Sequence, residues 1–200
     1  MSIGVWHILD LVDKYGEDAV CKFISDFSTK KKDCHRALNP DIEVFLKRNA
    51  IRFAREKKSI TYLVYDEDDG SLLGYFTLAH KPIEIPTDGL SNTVIKKLEK
   101  YARPSEEHGE YTVSAFLIAQ FGKNYAVDDG KRITGDELMK LCNKELFDVQ
   151  YRIGGGLEYL DCESDAKLID FYHDQQHFRL FGERISNKDS KRYLQFMRFI

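Results

Sequence analysis

The chain has 200 residues, a length typical of a single domain that buries most of its apolar surface without disulfide or metal staples. Hydrophobic residues make up 42% of it and charged residues 32%, which excludes a disordered or low-complexity protein. The net charge of −3 excludes an overall basic field of the kind that marks nucleic-acid-binding domains, and leaves only local basic patches as candidates.

The four cysteines are not arranged as metal ligands or as a disulfide framework, because no two of them form a CxxC pair; they are Cys21, Cys34, Cys142 and Cys162. The first 16 residues lack a basic start, and acidic residues interrupt their apolar run, so no secretory signal is predicted. No stretch reaches the roughly 18 apolar residues that a membrane helix needs. We therefore predict a cytoplasmic protein that does not contact a membrane.

The first quarter of the chain predicts helices. Residues 5–27 show apolar positions at helical spacing in two segments that Gly16 separates. Asn39 and Pro40 predict the start of a further helix, with Asn39 accepting a backbone N–H as its cap. The apolar face of that helix consists of Ile42, Leu46, Ala50 and Phe53, and its opposite face is basic with Lys47, Arg48, Arg52 and Arg55.

The middle of the chain predicts an antiparallel pair of strands. Residues 60–65 and 72–79 are rich in β-branched and aromatic side chains, and Asp69-Gly70 between them is a turn signal. Residues 82–110 hold three of the four prolines and a short helical pattern from Val94 to Tyr101. We interpret that region as a rim.

The second half alternates strands and helices. Residues 112–121 predict a strand covered on both faces, because they are almost continuously apolar. A polar loop and a helix follow, and three glycines at 154–156 end the helix. The remaining predicted elements are a strand at 157–162, a short helix at 166–171 and two closing strands at 177–183 and 193–200. This order implies one β-α-β crossover in a mixed sheet.

The polar loop before the long helix is a candidate anion site. The first N–H groups of a helix lack partners within it, and the helix dipole favours negative charge there. Lys131 and Arg132 supply positive charge just before Gly135, which lets the backbone approach a ligand closely. The alternative is purely structural, since Thr134 and Glu137 have the spacing of a capping box.

Longer stretches of the sequence resemble GNAT-superfamily N-acetyltransferases of bacterial and phage type. The coenzyme-binding half of these enzymes is similar to VSAFLIAQFGKNY, GKRITGDELM and YLDCESDAKLIDFYHDQQHFRLFGE. Their first helix and hairpin are similar to the segment from Pro40 to Lys81, and the helical lead-in also resembles members of this group. The resemblance implies one GNAT domain over residues 1–200, with a helical lead-in at 1–38, a mixed sheet, a splayed strand pair and flanking helices.

The resemblance also implies acetyl-CoA as acetyl donor. In the family the pantetheine arm pairs with a strand that matches Leu117, Ile118 and Ala119, and backbone amides of the following loop hold the diphosphate. The matching loop residues are Lys131, Arg132, Ile133, Thr134, Gly135 and Asp136, and Asp165 is the remaining predicted coenzyme contact. The loop motif is imperfect: Ile133 replaces a glycine of the family pattern, and Gly130 replaces a glutamine or arginine.

The short helix carries a second signature of the family. Tyr172 matches a tyrosine that protonates the leaving thiolate in many members, and Phe178 matches the phenylalanine of a following Gly-Phe pair, with His177 in place of the glycine. The predicted chemistry is direct attack of a neutral amine on the thioester. Backbone amides near Leu117 to Ala119 would stabilise the oxyanion, and Tyr172 would act as general acid.

A general base is harder to assign. Glu163 and Gln120 stand at the ends of neighbouring predicted strands, where Glu163 is a candidate catalytic residue and Gln120 a candidate substrate contact. His80 and His108 are further conceivable bases. Tyr172 as a packed aromatic, and Glu163 as a solvated strand end, are the structural alternatives.

Three functions remain open. The first is acetylation of a small-molecule or protein amine. The second is a toxin-type reaction on the amino group of aminoacyl-tRNA, to which the basic helix face and Lys30 to Lys32 would bind through phosphates. The third is a non-catalytic binding protein with the same fold.

A second copy of the chain is a candidate partner, and no metal is predicted. The transferase hypothesis needs a helix start at Thr134–Glu137 that is open to ligand, next to a parted pair of strands.

Overall fold

The computed structural model describes residues 2–30, 39–105, 109–186 and 190–200. The chain divides into two compact units. Unit 1 comprises Met1–Ala79 and Ala119–Phe147, and unit 2 comprises His80–Ile118 and Asp148–Ile200. The boundaries between the units fall inside two strands and one helix, so each of these three elements contributes residues to both units.

Unit 1 combines an antiparallel sheet with helices. The strands follow the order β1-β2-β3-β5, and the two antiparallel ladders align Val5 with Val64 and Leu63 with Tyr75. Its elements are β1 Ile3–His7, α1 Ile8–Tyr15, α2 Glu17–Ser25, α3 Pro40–Arg48, α4 Ala50–Arg55, β2 Ile60–Asp66, the first part of β3 Leu72–Pro86, the last part of β5 Glu110–Lys123, and most of α6 Gly135–Ile153.

The first strand of unit 1 corrects the sequence analysis. Residues 5–7 were predicted as helix, but they belong to β1, and the helix starts only at Ile8. The His7 ring nitrogen Nδ1 accepts from the Leu9 amide at 3.2 Å and caps that helix. The strand pairs along its whole length, from Ile3 to His7, with residues 62–66 of β2, so tertiary pairing overrides the helical pattern. The predicted break at Gly16 is confirmed, with φ of 84°.

The predicted helix from Pro40 to Phe53 is two helices rather than one. Asn49 separates α3 from α4, and its side-chain oxygen accepts a hydrogen bond from Arg52 Nη2 at 2.8 Å. Asparagine favours such breaks because its side chain competes for local hydrogen bonds. Asn39 precedes Pro40 as predicted, but its side chain makes no capping hydrogen bond.

Apolar side chains from the helices α1 to α4 and from the strands β2 and β3 form the core of unit 1. Phe27 and Tyr75 pack edge to face with ring centroids 5.1 Å apart, and the Tyr75 hydroxyl donates to the Ile42 carbonyl at 2.7 Å. The buried cluster consists of Ile8, Val20, Ile24, Phe27, Leu46, Ala50, Ile51, Ala54, Leu63, Leu72 and Tyr75.

Unit 2 contains the mixed part of the sheet. Its strands follow the order β3-β5-β6-β8-β7, and β4 pairs with β5 besides. Its further elements are α5 Asn92–Leu98, β4 Ala102–Ser105, β6 Leu157–Glu163, α7 Ala166–Ile169, a π-helix at Asp170–Gln175, β7 Arg179–Ile185 and β8 Arg192–Phe199. The predicted β-α-β crossover is confirmed, because β5 and β6 are parallel. The mixed α/β class is confirmed as well.

Two features of β5 differ from the prediction. Thr112 and Ser114 are exposed, so the first half of the strand has one polar face instead of two covered ones. The strand β4 was not predicted, because four residues that include Pro104 give too short a pattern. It pairs with the residues of β5 that precede the β6 ladder.

The core of unit 2 is a second, separate cluster: Ile85, Val94, Leu98, Tyr111, Val113, Ala115, Leu157, Tyr159 and Met197. Every helix in the described part of the chain is too short or too polar to cross a bilayer.

Candidate functional site

The start of α6 carries the capping box that the sequence allowed. The Glu137 carboxylate accepts from the Thr134 amide at 2.8 Å and from the Thr134 hydroxyl at 2.7 Å, and the Glu137 amide donates to Thr134 Oγ1 at 3.1 Å. Hydrogen bonds from Thr134 lower the pKa of Glu137 below its ordinary range. Among the described residues the Gly135 amide has no acceptor. The helix start is thus partly filled by side chains and keeps one donor available.

Lys131 lies at the exposed edge of the preceding loop and pairs with the hairpin turn between β2 and β3. Its Nζ donates to the Asp69 carboxylate, and this pair raises the pKa of Lys131. The Lys131 hydrogen bond, followed by those of Ser71, holds the pKa of Asp69 far below its ordinary range. Both side chains remain partly exposed, so an anion would compete with Asp69 for this cation in a solvated setting.

Arg132 faces back into its own loop. Its Nε donates to the Val127 carbonyl at 3.2 Å and its Nη2 to the Tyr125 carbonyl at 3.1 Å. Its Nη1 lies 2.7 Å from Asp129 Oδ1, and the guanidinium lies 5.1 Å from the centre of the Tyr125 ring. All three nitrogens of the guanidinium therefore engage residues of the loop itself.

Ile133 explains one departure from the family pattern. Its side chain is buried, with 1% of its surface exposed, so it anchors the loop where the family has a glycine. Gly130, at the other departure, is exposed in a 3₁₀ turn at Asp129–Lys131. A buried apolar side chain therefore follows Arg132 and anchors the loop, whereas the turn that precedes Arg132 is exposed.

Asn124 organises the beginning of the same loop from inside unit 1. Its Oδ1 accepts from the amides of Ser28 and Ala126, each at 3.0 Å, and its Nδ2 donates to the Leu72 carbonyl at 2.8 Å. Its own amide donates to the Leu73 carbonyl at 2.8 Å. The residue is 4% exposed, so these bonds tie three chain segments together in a buried place.

The predicted pantetheine strand forms a short ladder with its parallel neighbour. The β5–β6 ladder consists of the pairs Phe116–Glu158 and Leu117–Tyr159, although β5 continues to Lys123 and β6 to Glu163. Ile118 is buried, and Leu117, Ala119 and Gln120 are half-buried.

Tyr172 lies in the π-helix of unit 2 and is its buried residue, with 7% exposed. Its ring packs edge to face against Phe171 at 5.0 Å and Phe178 at 6.1 Å, and its carbonyl accepts from the Phe178 amide at 2.9 Å. His177 adopts φ of 60°, a left-handed conformation that accounts for the glycine usual at this place in the family. Aromatic packing thus fixes the backbone that carries the tyrosine.

A buried ion pair supports the end of the π-helix. Arg198 Nε and Nη2 donate to Glu158 Oε1 at 2.6 and 2.5 Å, and Nη1 donates to the Gln176 carbonyl at 2.8 Å. The guanidinium also lies 4.4 Å from the centre of the Phe178 ring. Glu158 is fully buried, and its Oε2 has no hydrogen-bond partner among the described residues. Burial raises the pKa of Glu158 despite the arginine.

Other predicted site residues have structural partners of their own. Glu163 accepts from Lys191 Nζ at 2.7 Å, and Asp165 caps α7 by accepting from the amides of Lys167 and Leu168. His80 is exposed, with its ring 4.9 Å from that of Phe116. His108 and Cys34 lie outside the described residues.

The basic face of the helices at 40–55 is exposed, as its pattern predicted. Its four cations line a groove in unit 1 together with Glu17, Cys21 and Glu56. Arg55 pairs with Glu17 at 2.7 Å, which neutralises part of the face. Lys30 is exposed, whereas Lys31 and Lys32 lie outside the described residues.

Unit 1 brings Lys131, Gly135 and the rest of the predicted loop together, and unit 2 brings Tyr172 close to Phe178. Sequence reasoning missed Asn124, Glu158 and Arg198. A charged residue inside the apolar run of β8 was the available signal for Arg198. In the described residues no cluster of three or more histidine, cysteine or acidic side chains could hold a metal ion.

No protein-family model matches the sequence, and no curated protein matches it. Solved structures do match over nearly the whole chain. A tyrosine-to-phenylalanine mutant of KacT aligns with a TM-score of 0.63 and 17% identity, over 100% of this chain and 95% of that one. AtaT complexed with acetyl-methionyl-tRNAfMet aligns with a TM-score of 0.57 and 15% identity, over 96% of this chain and 94% of that one.

A mutant of the AtaT toxin, bound to the C-terminus of the antitoxin AtaR and to acetyl-CoA, aligns with a TM-score of 0.56 and 11% identity. The alignment covers 100% of this chain and 94% of that one. Identities this low establish a shared fold. The chain therefore has the GNAT fold, in the form that KacT and AtaT adopt.

Proposed function

We propose that the protein is an acetyl-CoA-dependent N-acetyltransferase. The observation that carries the proposal is the course of β5 in a GNAT fold: its ladder with β6 ends at Leu117, and the strand leads through a braced polar loop into the start of α6. Similar proteins have been crystallised with acetyl-CoA. The residues present fit this ligand, because the Gly135 amide and the Lys131 ammonium are donors suited to a diphosphate.

In this proposal the loop and strand bind the coenzyme. The backbone of Leu117, Ile118 and Ala119 accepts the pantetheine arm as an added strand. The segment from Lys131 to Asp136 holds the diphosphate, with the Gly135 amide as donor and Lys131 exchanging Asp69 for a phosphate. Asp165 contributes through the α7 start that it caps. When bound, acetyl-CoA supplies an activated thioester.

Chemistry at the thioester needs a proton donor and a place for negative charge. Backbone amides near Leu117 to Ala119 stabilise the developing oxyanion. The Tyr172 hydroxyl gives its proton to the departing thiolate. Support for this role comes from the match to the family's tyrosine and from the packing that fixes Tyr172 in one orientation.

The acceptor side of the proposal is less specific. Glu163 accepts the proton of the attacking amine, directly or through a water molecule, after release from Lys191, and Gln120 contacts the acceptor. Acceptors are small-molecule or protein amines. We place the reaction in the cytoplasm, where the thiols of Cys21, Cys142 and Cys162 stay reduced, and a homodimer is part of the proposal.

A second candidate acceptor is the amino group of aminoacyl-tRNA. Two observations favour it: the exposed basic face at Lys47, Arg48, Arg52 and Arg55, and the structural similarity to AtaT in complex with acetyl-methionyl-tRNAfMet. Phosphate contacts of this kind weaken as salt rises. An affinity for tRNA that falls steeply with salt, and falls further when Arg48 and Arg52 are changed to glutamine, is the expected result.

The decisive experiment measures turnover of acetyl-CoA by the purified chain. A panel of small amines, peptides and aminoacyl-tRNAs is offered, and mass spectrometry identifies a product that is heavier by one acetyl group. We expect one class to be acetylated. Binding of acetyl-CoA without turnover of any acceptor would favour a non-catalytic GNAT-fold binding protein, and absence of binding would refute the proposal.

The role of Tyr172 is tested by Tyr172→Phe, with Tyr151→Phe as the matched control at a side chain that is 93% exposed. Loss of a general acid lowers kcat by about 100-fold or more. We expect that loss with an unchanged KM for acetyl-CoA, and no change in the control. Undiminished kcat in Tyr172→Phe would remove Tyr172 from the mechanism.

A further inference from the structure

Arg132 was predicted from the sequence as a cation for phosphate, but its contacts suggest another role. Each of the three guanidinium nitrogens engages the segment from Tyr125 to Asp129, at 2.7 to 3.2 Å. The side chain is 19% exposed, in contrast to the 51% of Lys131 beside it. Arg132 is therefore largely withdrawn from solvent, while its neighbour is available to an anion.

The geometry of these contacts is specific to arginine. Two carbonyl oxygens and one carboxylate surround a planar group whose central carbon also lies over the Tyr125 ring, 5.1 Å from its centre. A guanidinium presents donors in a fixed fork, whereas a lysine ammonium is a compact point charge that cannot reach three separated acceptors. The charge of Arg132 is also balanced locally by Asp129.

The loop that Arg132 holds begins and ends at buried anchors. Asn124 is the first residue of the loop and is held by four hydrogen bonds. At the other end, the side chain of Ile133 is buried, shortly before the start of α6. Between these anchors the peptide groups of Tyr125 and Val127 are tied to the guanidinium. The brace therefore supports the stretch between the anchors, which leads to the Gly135 amide.

We propose that Arg132 is a positioning residue that braces this loop for coenzyme binding instead of contacting the diphosphate. The inference depends on the proposed acetyl-CoA function. Its physical content is preorganisation: a loop already held in its binding conformation loses less conformational entropy when the ligand binds. Replacing the guanidinium by a lysine ammonium, which keeps the positive charge but loses the fixed set of donors, should therefore weaken the binding of acetyl-CoA.

The test compares a charge-keeping and a charge-removing variant. Acetyl-CoA binding to the full chain is measured by calorimetry at several salt concentrations for wild type, Arg132→Lys, Arg132→Gln and Lys131→Gln. A brace predicts that both Arg132 variants weaken Kd by a similar factor of about 10, with the salt dependence of wild type. Lys131→Gln should flatten the salt dependence, because it removes a charge that meets the ligand in a solvated setting.

Hydrogen exchange in the ligand-free protein gives an independent readout. Amides from Tyr125 to Lys131 should exchange about 10-fold faster in both Arg132 variants, while amides of the β2–β3 ladder stay unchanged and report an intact fold. Wild-type affinity in Arg132→Lys together with loss in Arg132→Gln would overturn the inference, as would unchanged exchange. Failure of wild type to bind acetyl-CoA would refute the proposed function, and the exchange result would still decide the brace.

Discussion

The loop of unit 1 before α6 and the π-helix of unit 2 after α7 are held in different ways, although each follows a strand of the parallel pair. The loop is fixed mainly by polar groups, with Asn124 and Arg132 bound to backbone oxygens and amides. The π-helix is fixed by aromatic rings and by the buried Glu158–Arg198 pair.

Under the proposed function, the difference follows from what each region does. A loop that offers amides to an anion cannot be buried under apolar side chains, so hydrogen bonds from within must order it. A tyrosine that serves as acid gains from a closed apolar setting, where packing fixes one orientation. Breaking the buried Glu158–Arg198 pair should lower the free energy of unfolding more than breaking the loop contacts, because it leaves a buried charge without its partner.

The largest effect is expected from Arg198→Met. It leaves Glu158 ionisable, fully buried and without its partner, which should lower the free energy of unfolding by about 4 kcal/mol. Arg192→Met, which breaks the exposed pair with Glu183, is the control and should cost less than about 1 kcal/mol. Urea unfolding measures both.

The double variant Arg198→Met with Glu158→Leu sharpens this result. Replacing both members of a buried pair by apolar residues is often nearly neutral, so we expect most of the lost stability to return. A double variant as unstable as Arg198→Met alone would show that the arginine acts through the Gln176 carbonyl and the Phe178 ring instead.

A smaller effect is expected from Asn124→Ala. The change removes the hydrogen bonds that this side chain accepts from the Ser28 and Ala126 amides and the one that it donates to the Leu72 carbonyl. Water can replace some of them, so we expect the free energy of unfolding to fall by about 3 kcal/mol. Asn92→Ala, at an exposed position, should stay within about 0.5 kcal/mol. If Asn124→Ala lost no more stability than the control, the loop would be ordered without the hydrogen bonds of the Asn124 side chain.

The smallest effects concern pH, where the two regions should respond in opposite directions. The Glu137 pKa is lowered by hydrogen bonds from Thr134, so its contribution is present above its ordinary pKa of 4.5 and is lost as pH falls through the folded-state value. The Glu158 pKa is raised by burial, so its contribution is present below 4.5 and is lost as pH rises through the folded-state value.

Glu137→Gln and Glu158→Gln test this contrast as a matched pair. On acidification from neutral pH, the stability gap between wild type and Glu137→Gln should shrink, while wild type should gain stability relative to Glu158→Gln. Unfolding midpoints in urea across that range measure both slopes. Slopes of the same sign would contradict the opposed environments of the two carboxylates.

Most elements of the fold could be predicted from the sequence because their signals are local. The hairpin around Gly70, the long helix that ends at Gly154 and the parallel crossover follow from turn chemistry and periodicity. The strand β1 could not be predicted in this way, because residues 5–7 continue a helical pattern and only pairing with β2 makes them extended. The break at Asn49 was missed for a different reason: it lies within one continuous apolar pattern, and only the structure shows that its side chain accepts from Arg52.

The candidate site divides along the same line. The sequence by itself determined the chemical types present: cations and a glycine before a helix, a capping box, and a tyrosine in a family-like signature. Only the tertiary structure decided which of these groups are exposed and which are held by the protein, because hydrogen-bond partners such as the carbonyls that hold Arg132, or the Asp69 that pairs with Lys131, are set by chain geometry and not by residue type.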